Sequence, residues 1–210
     1  MKTIVWDLDG TLLDSRSRHT TLLWDLCMEL QINIAETKLM EYLPCKCNGM
    51  STYQYLTEHC GISDKAALKC SALWTERIEK WDYLSQDILY PDSKKTLSAL
   101  NGRFSCFLIT ARQHENLMRN QLKVNGIELF FDNVICVSPI NAPKNKVLAA
   151  KGLKEVACWV GDTEVDSWAA QQLGCNFYAL YRGFRSQEFW MKSGIKSHSN
   201  LSELINYLGG

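Results

Sequence analysis

The chain has 210 residues, 46% hydrophobic and 22% charged, enough apolar material for one α/β core with a smaller insert. Its 23 basic and 23 acidic residues cancel, so the basic excess of a nucleic-acid binder is missing and no nucleic-acid partner is expected. The apolar runs FSCFLITA and VACWVG fall far short of a membrane span, and the N-terminus shows no signal-peptide pattern, so the reading is cytoplasmic with no membrane contact.

In chain order, an apolar run over 3–8 reads as a buried strand. Residues 16–88 then contain no convincing strand. They show helical spacing instead: Leu22, Leu23, Leu26 and Leu30, then Leu39, Met40 and Leu43, then Leu68, Leu73, Ile78 and Trp81. Within this insert LPCKCNGM reads as an inter-helix loop broken by Pro44 and Gly49, and Trp24, Trp74 and Trp81 read as its core. Beyond Pro91, strand patterns over 104–109, 133–137, 156–160 and 176–180 alternate with helical patterns over 92–100, 113–125, 145–151 and 165–173. Such alternation predicts a Rossmann-like three-layer α/β core with a mainly parallel sheet. The insert makes the domains 1–15 plus 89–210 for the core and 16–88 for an all-helical second part. The tail from 186 reads as two short helices. Nine scattered cysteines read as reduced thiols, and Cys45-Lys46-Cys47 lacks zinc-ribbon spacing.

In open parallel sheets, ligands bind outside the carboxyl ends of the strands. The residues there are Asp7 to Thr11, Thr110 to Arg112, Ser138 to Lys146, and Gly161 to Thr163. Asp7 and Asp9 lie two apart and face one region if the strand continues that far. Asp162 adds a third carboxylate, and Asp166 lies one helical turn on. Gathered carboxylates repel unless a divalent cation or a held proton compensates, and hard oxygen ligands suit Mg2+. Taken singly, Asp162 reads as a helix cap, Asp166 as a solvated helix residue and Asp9-Gly10 as a turn. The full set at consecutive strand ends is what points to a site.

DLDGTLLDS, LITAR, PK and GDTEVD, in that order, resemble the four motifs of the haloacid dehalogenase-like hydrolase superfamily. The placement of the helical insert is similar to the cap of its phosphoglycolate-phosphatase-like branch. The resemblance implies a phosphatase. Asp7 would be the nucleophile that forms an aspartyl phosphate, and Asp9 the proton donor to the leaving alcohol. Mg2+ would lie on the Asp7 carboxylate, the Asp9 backbone carbonyl and Asp162, with Asp166 in support. Thr110 would bind a phosphoryl oxygen and Lys144 would neutralise phosphate charge, with Lys146 read as a solvated first-turn residue. Gly10 would let backbone N–H groups approach the phosphate. Lys46 and Arg112 are candidates for substrate contact, and each has a plain surface alternative. The substrate would be a small phosphorylated metabolite and the assembly a monomer or homodimer. The alternatives are a phosphomutase or dehalogenase of the same fold, or a non-catalytic binding module. Asp9 speaks against the dehalogenase, because a departing halide needs no proton.

Overall fold

The computed structural model describes residues 1–209. Strand β1 (Thr3–Trp6) is buried along its whole length, as a strand covered on both faces must be. The short strands β2 (Leu13–Asp14) and β3 (Ile88–Leu89) pair antiparallel as a separate ribbon. Between these two strands lie α1 (Arg16–Glu29), α2 (Glu36–Cys47), α3 (Thr52–Gln54) running into a π-turn (Tyr55–His59), α4 (Asp64–Arg77) and α5 (Trp81–Leu84). There follow α6 (Ser93–Leu100), β4 (Ser105–Ala111), α7 (Glu115–Val124), β5 (Asn133–Val137), α8 (Ala142–Ala150), β6 (Val156–Gly161) and α9 (Glu164–Leu173). The chain closes with β7 (Asn176–Leu180), α10 (Gln187–Lys192), β8 (Ser197–His198) and α11 (Leu204–Gly209).

Six strands form one sheet in the order β5-β4-β1-β6-β7-β8, and every neighbouring pair is parallel. Apolar side chains on one face pack around Ile4, Trp6, Leu108 and Val160; those on the other pack around Val5, Ile109 and Trp159. The alternation of odd and even residues along β1 into two cores is the strand period at work. The chain builds outward from β1 to β4 and β5, then crosses back to β6. That reversal puts the switch point between the carboxyl ends of β1 and β6.

The buried residues of the helical segment form a cluster of their own, centred on Leu22, Leu26, Tyr42, Leu56 and Cys70. Tyr42 donates to or accepts from Thr52 inside it at 2.9 Å, which satisfies both hydroxyls. Not every apolar position of the pattern turns inward: Trp24, Met40 and Leu68 are exposed, so Trp24 is no part of a core there. Trp74 packs on the cluster's edge.

The sequence reading places a loop over 43–50, but α2 runs through Pro44 to Cys47. A proline inside a helix forfeits one bond, here to the carbonyl of Met40, whose side chain faces solvent. Helix α8 starts at Ala142, earlier than its apolar pattern suggests. Proline fits the first turn of a helix, so Pro143 lies just inside the start. The two-residue strand β8 is too short for a sequence signal. All nine cysteines are free, and among the described residues no helix is long and apolar enough to cross a membrane.

Leu108 is fully buried at the centre of the sheet, between β1 and β5. Leu108→Ala is expected to destabilise the protein by about 3 kcal/mol, read as a lowered denaturation midpoint in urea with an unchanged slope.

Candidate active site

The strand ends converge as the topology demands. The Asp7 backbone N–H continues the ladder by donating to the Val160 carbonyl at 2.9 Å, which sets Asp7 beside the exit of β6. Asp162 follows β6 directly and Asp166 sits in the first turn of α9. One carboxylate oxygen from each of Asp7, Asp162 and Asp166 lies within 4.8 Å of the others, and all three residues are buried. The Asp9 carboxylate is not part of this trio. Past Trp6 the chain leaves the strand, and Asp9 turns toward two arginines.

Lys146 reaches into the trio. Its Nζ donates to Asp7 Oδ1 at 2.5 Å and to Asp166 Oδ1 at 2.6 Å. Lys144, the lysine favoured from sequence, is exposed. The correction is geometric. Residues two positions apart on a helix lie about 200° apart around it, so only one of the two lysines can face the sheet. The inward positions of α8 are Lys146 and Ala150, one turn apart.

Asp166 also accepts from Trp159 Nε1 at 3.2 Å and from Thr163 Oγ1 at 2.9 Å. Both its oxygens are therefore engaged by the protein. Asp162 accepts from the Phe184 N–H at 2.6 Å and lies against Gly10 and Gly183. Gly10 has φ +73°, and a Cβ on either glycine would collide with the Asp162 carboxylate. Gly10 thus serves close approach to Asp162 as well as the turn. Gly183 carries no sequence signal that singles it out. Thr110, at the end of β4, is almost fully buried.

Asp9 is gripped from two sides. Arg112 donates Nε to Oδ2 at 2.5 Å and a terminal nitrogen to Oδ1 at 2.7 Å. Arg18, on α1, donates to Oδ1 at 2.6 Å. Arg112 is thus a buried partner of Asp9, which corrects the plain surface alternative of its sequence reading. Arg18 was not singled out in sequence, although Arg18, Leu22 and Leu26 fall at i, i+4 and i+8, the period of a buried stripe. Lys46 lies half-buried at the last turn of α2, over the Trp74 ring at 5.0 Å and the Tyr42 ring at 5.8 Å. Burial and the nearby Arg185 lower its pKa to about 8.

Electrostatics separate the carboxylates. Burial pushes Asp7 up to about 7, opposed by Lys146 and reinforced by Asp166. Burial, with Asp7 and Asp166 adding, raises Asp162 well above the carboxylate range. Burial alone would raise Asp9 too, but Arg112 and Arg18 outweigh it and hold it at about 2. Burial would lower Lys146, but Asp166 and Asp7 raise it, so its charge is secure. A set of hard oxygen donors that retains protons for want of positive charge suits a divalent cation. Asp166 is engaged through both oxygens by Lys146, Trp159 and Thr163, while Asp162 accepts from the Phe184 N–H and, more distantly at 3.5 Å, from the Thr11 hydroxyl, and Asp7 accepts from Lys146.

Residues 4–180 match the family model described as haloacid dehalogenase-like hydrolase. The chain belongs to that family. It is therefore a hydrolase, and curated relatives carry phosphatase names. A phosphoglycolate phosphatase of Aquifex aeolicus is 27% identical over 191 residues, 83% of this chain and 82% of the relative. Another, from Vibrio vulnificus, is 24% identical and covers 90% of this chain and 87% of its own. A haloacid dehalogenase-like family hydrolase from Streptococcus pneumoniae superposes with a TM-score of 0.78 at 20% identity, over 99% of this chain and 98% of its own.

The raised carboxylates predict a pH signature. Both Asp7 and Asp162 sit above the ordinary 3.8, so between that value and their folded pKa the native state binds more protons than the unfolded one. Stability without metal should fall as pH rises from about 4 through about 7. MgCl2 should reverse the loss, and its binding at pH 6 should release protons, read by calorimetry in buffers of different ionisation enthalpy. The release should shrink at pH 8 and in Asp162→Asn.

Proposed function

We propose that this protein is a Mg2+-dependent phosphatase that hydrolyses a small phosphorylated metabolite through an aspartyl phosphate on Asp7. The observation that carries the reading is the Lys146 ammonium held 2.5 Å from Asp7 at the sheet's switch point, within a buried acidic trio. A carboxylate is a competent nucleophile toward phosphorus, and phosphoryl transfer depends chiefly on positioning and on neutralising oxygen charge. Lys146 supplies a fixed positive charge beside the attacking oxygen. Asp166 keeps that lysine in place. The Thr110 hydroxyl and the backbone at Gly10 would hold the phosphoryl oxygens. Bound at Asp7, Asp162 and the Asp9 carbonyl, Mg2+ would neutralise charge on the transferring group.

Asp9 would protonate the departing alcohol oxygen and later draw a proton from the attacking water. Residues 16–88 would act as a cap on the core formed by 1–15 and 89–210, closing over the site and excluding water during transfer. Lys46, at the boundary of the two parts, would face the non-phosphoryl end of the substrate. Phosphoglycolate heads the substrate panel because relatives bear that name. The reading places the enzyme in the cytoplasm, as a monomer or homodimer.

The test is phosphate release from p-nitrophenyl phosphate and a panel of phosphorylated metabolites, with and without Mg2+. Asp7→Asn should reduce release to background. Lys146→Ala should lose on the order of 100-fold in kcat or more, as when one donor to a developing charge is removed. Lys144→Ala should match the wild type. Equal losses in the two lysine variants would refute the lysine assignment, and a folded wild type inert to every ester would refute the phosphatase.

A further inference from the structure

The buried arginine on α1 has no counterpart in the reaction just derived. Arg18 is 2% exposed, yet its Nε and one terminal nitrogen have no hydrogen-bond acceptor. The same terminal nitrogen lies 3.2 Å from Asp87 Oδ2, in ion-pair range. Asp87, just before β3, is itself buried and has an unpartnered Oδ1. Arg18 therefore stands between two carboxylates, bonded to Asp9 and within reach of a second seat on Asp87.

We propose that Arg18 is a positioning residue that gates Asp9: it parks the Asp9 carboxylate where this structure shows it and frees it by moving to Asp87. The inference rests on Asp9 being the proton-transfer carboxylate. A carboxylate has about four acceptor positions, and guanidinium N–H groups fill three of those on Asp9. Every one of those contacts points a hydrogen at the oxygens. To deliver a proton of its own, Asp9 must shed a donor.

Arg112 is the worse one to shed. It follows β4, its backbone N–H is tied to the Val137 carbonyl, and its guanidinium also donates to Gln121 Oε1 at 3.2 Å. Gln121 is fixed in turn by the Leu84 carbonyl and Asp87. Arg18 holds Asp9 by one hydrogen bond and is carried by the helical segment behind the β2–β3 ribbon. Its release is therefore the smaller change, and Asp87 stands ready to receive it.

The step balances. An Asp7 oxygen bonds to phosphorus as the bond from phosphorus to the ester oxygen breaks. The electron pair of that bond goes to the ester oxygen, which takes the proton from Asp9. Asp9 is left as a carboxylate, and Arg18 pairs with it again.

The experiment compares kcat for the fastest alkyl ester of the panel with kcat for p-nitrophenyl phosphate, whose phenolate leaves without a proton. Arg18→Ala should raise the alkyl-to-aryl ratio severalfold, because Asp9 is no longer parked. Arg18→Lys should fall between the two, and serves if the alanine variant does not fold. Asp87→Asn should lower the ratio by weakening the second seat. A role confined to docking the helices would move both substrates together and leave the ratio unchanged in all three variants. An unchanged or lowered ratio in Arg18→Ala overturns the inference while the phosphatase stands. A wild type inert to both esters overturns the two readings together.

Discussion

A lysine ammonium buried between two aspartates is the contact on which the site's architecture turns. Removing Lys146, Asp7 and Asp166 from water has a desolvation cost of several kcal/mol per ion, which mutual attraction offsets only where the geometry is tight and the other polar atoms are satisfied. The rest of the site supplies those conditions. Trp159 and Thr163 bind the oxygens of Asp166. Asn141, in a left-handed conformation, turns the chain into α8 so that Lys146 falls on the inner face. Gly10, Gly161 and Gly183 leave room for carboxylates where any side chain would collide with them. The ammonium balances only part of the acidic charge, a shortfall of the kind that a divalent cation can make up.

The two halves of the molecule meet across a second set of buried charges. Glu79, beyond α4, accepts the backbone N–H groups of Gln113 and His114 at the start of α7. Arg18 crosses from α1 to Asp9. On the other side of the site, the Cys47 carbonyl at the end of α2 accepts the Ser186 N–H. The helical segment is thus fastened to the sheet edge mainly by directional polar contacts, while its apolar residues are largely spent on a cluster of their own. Such contacts can be exchanged for water far more readily than buried apolar surface can be exposed.

The sheet was legible because parallel strands covered on both faces leave continuous apolar runs, and the turns after them carry the chemistry. Asp7, Thr110 and Asp162 could be placed by that rule, and Asp166 by the helical turn that follows Asp162. The rule says nothing of side-chain direction once a strand has ended, so Asp9 was assigned to the region of Asp7 while the chain turned it toward Arg112. Lys144 and Lys146 differ only by which face of a helix they occupy, and the apolar residues of α8 are spread around it too evenly to mark that face. Arg18 and Asp87 belong to contacts between segments far apart in sequence, and a single chain read in order carries no measure of such distances. Pro44 reads as a breaker in the sequence, although one missing bond on the solvent side is tolerated.

The β2–β3 ribbon brings the departing and returning strands of the insert side by side, with Leu13 opposite Leu89 and Asp14 opposite Ile88. Paired antiparallel residues stand about 5 Å apart, so the sheet experiences everything from Arg16 to Asp87 as a single short closed loop. Whatever occupies that loop can grow, shrink or be exchanged for another fold without altering the register of a core strand. The fold is in this sense modular: the helical segment is free to vary while the sheet and the carboxylates at its strand ends stay in place.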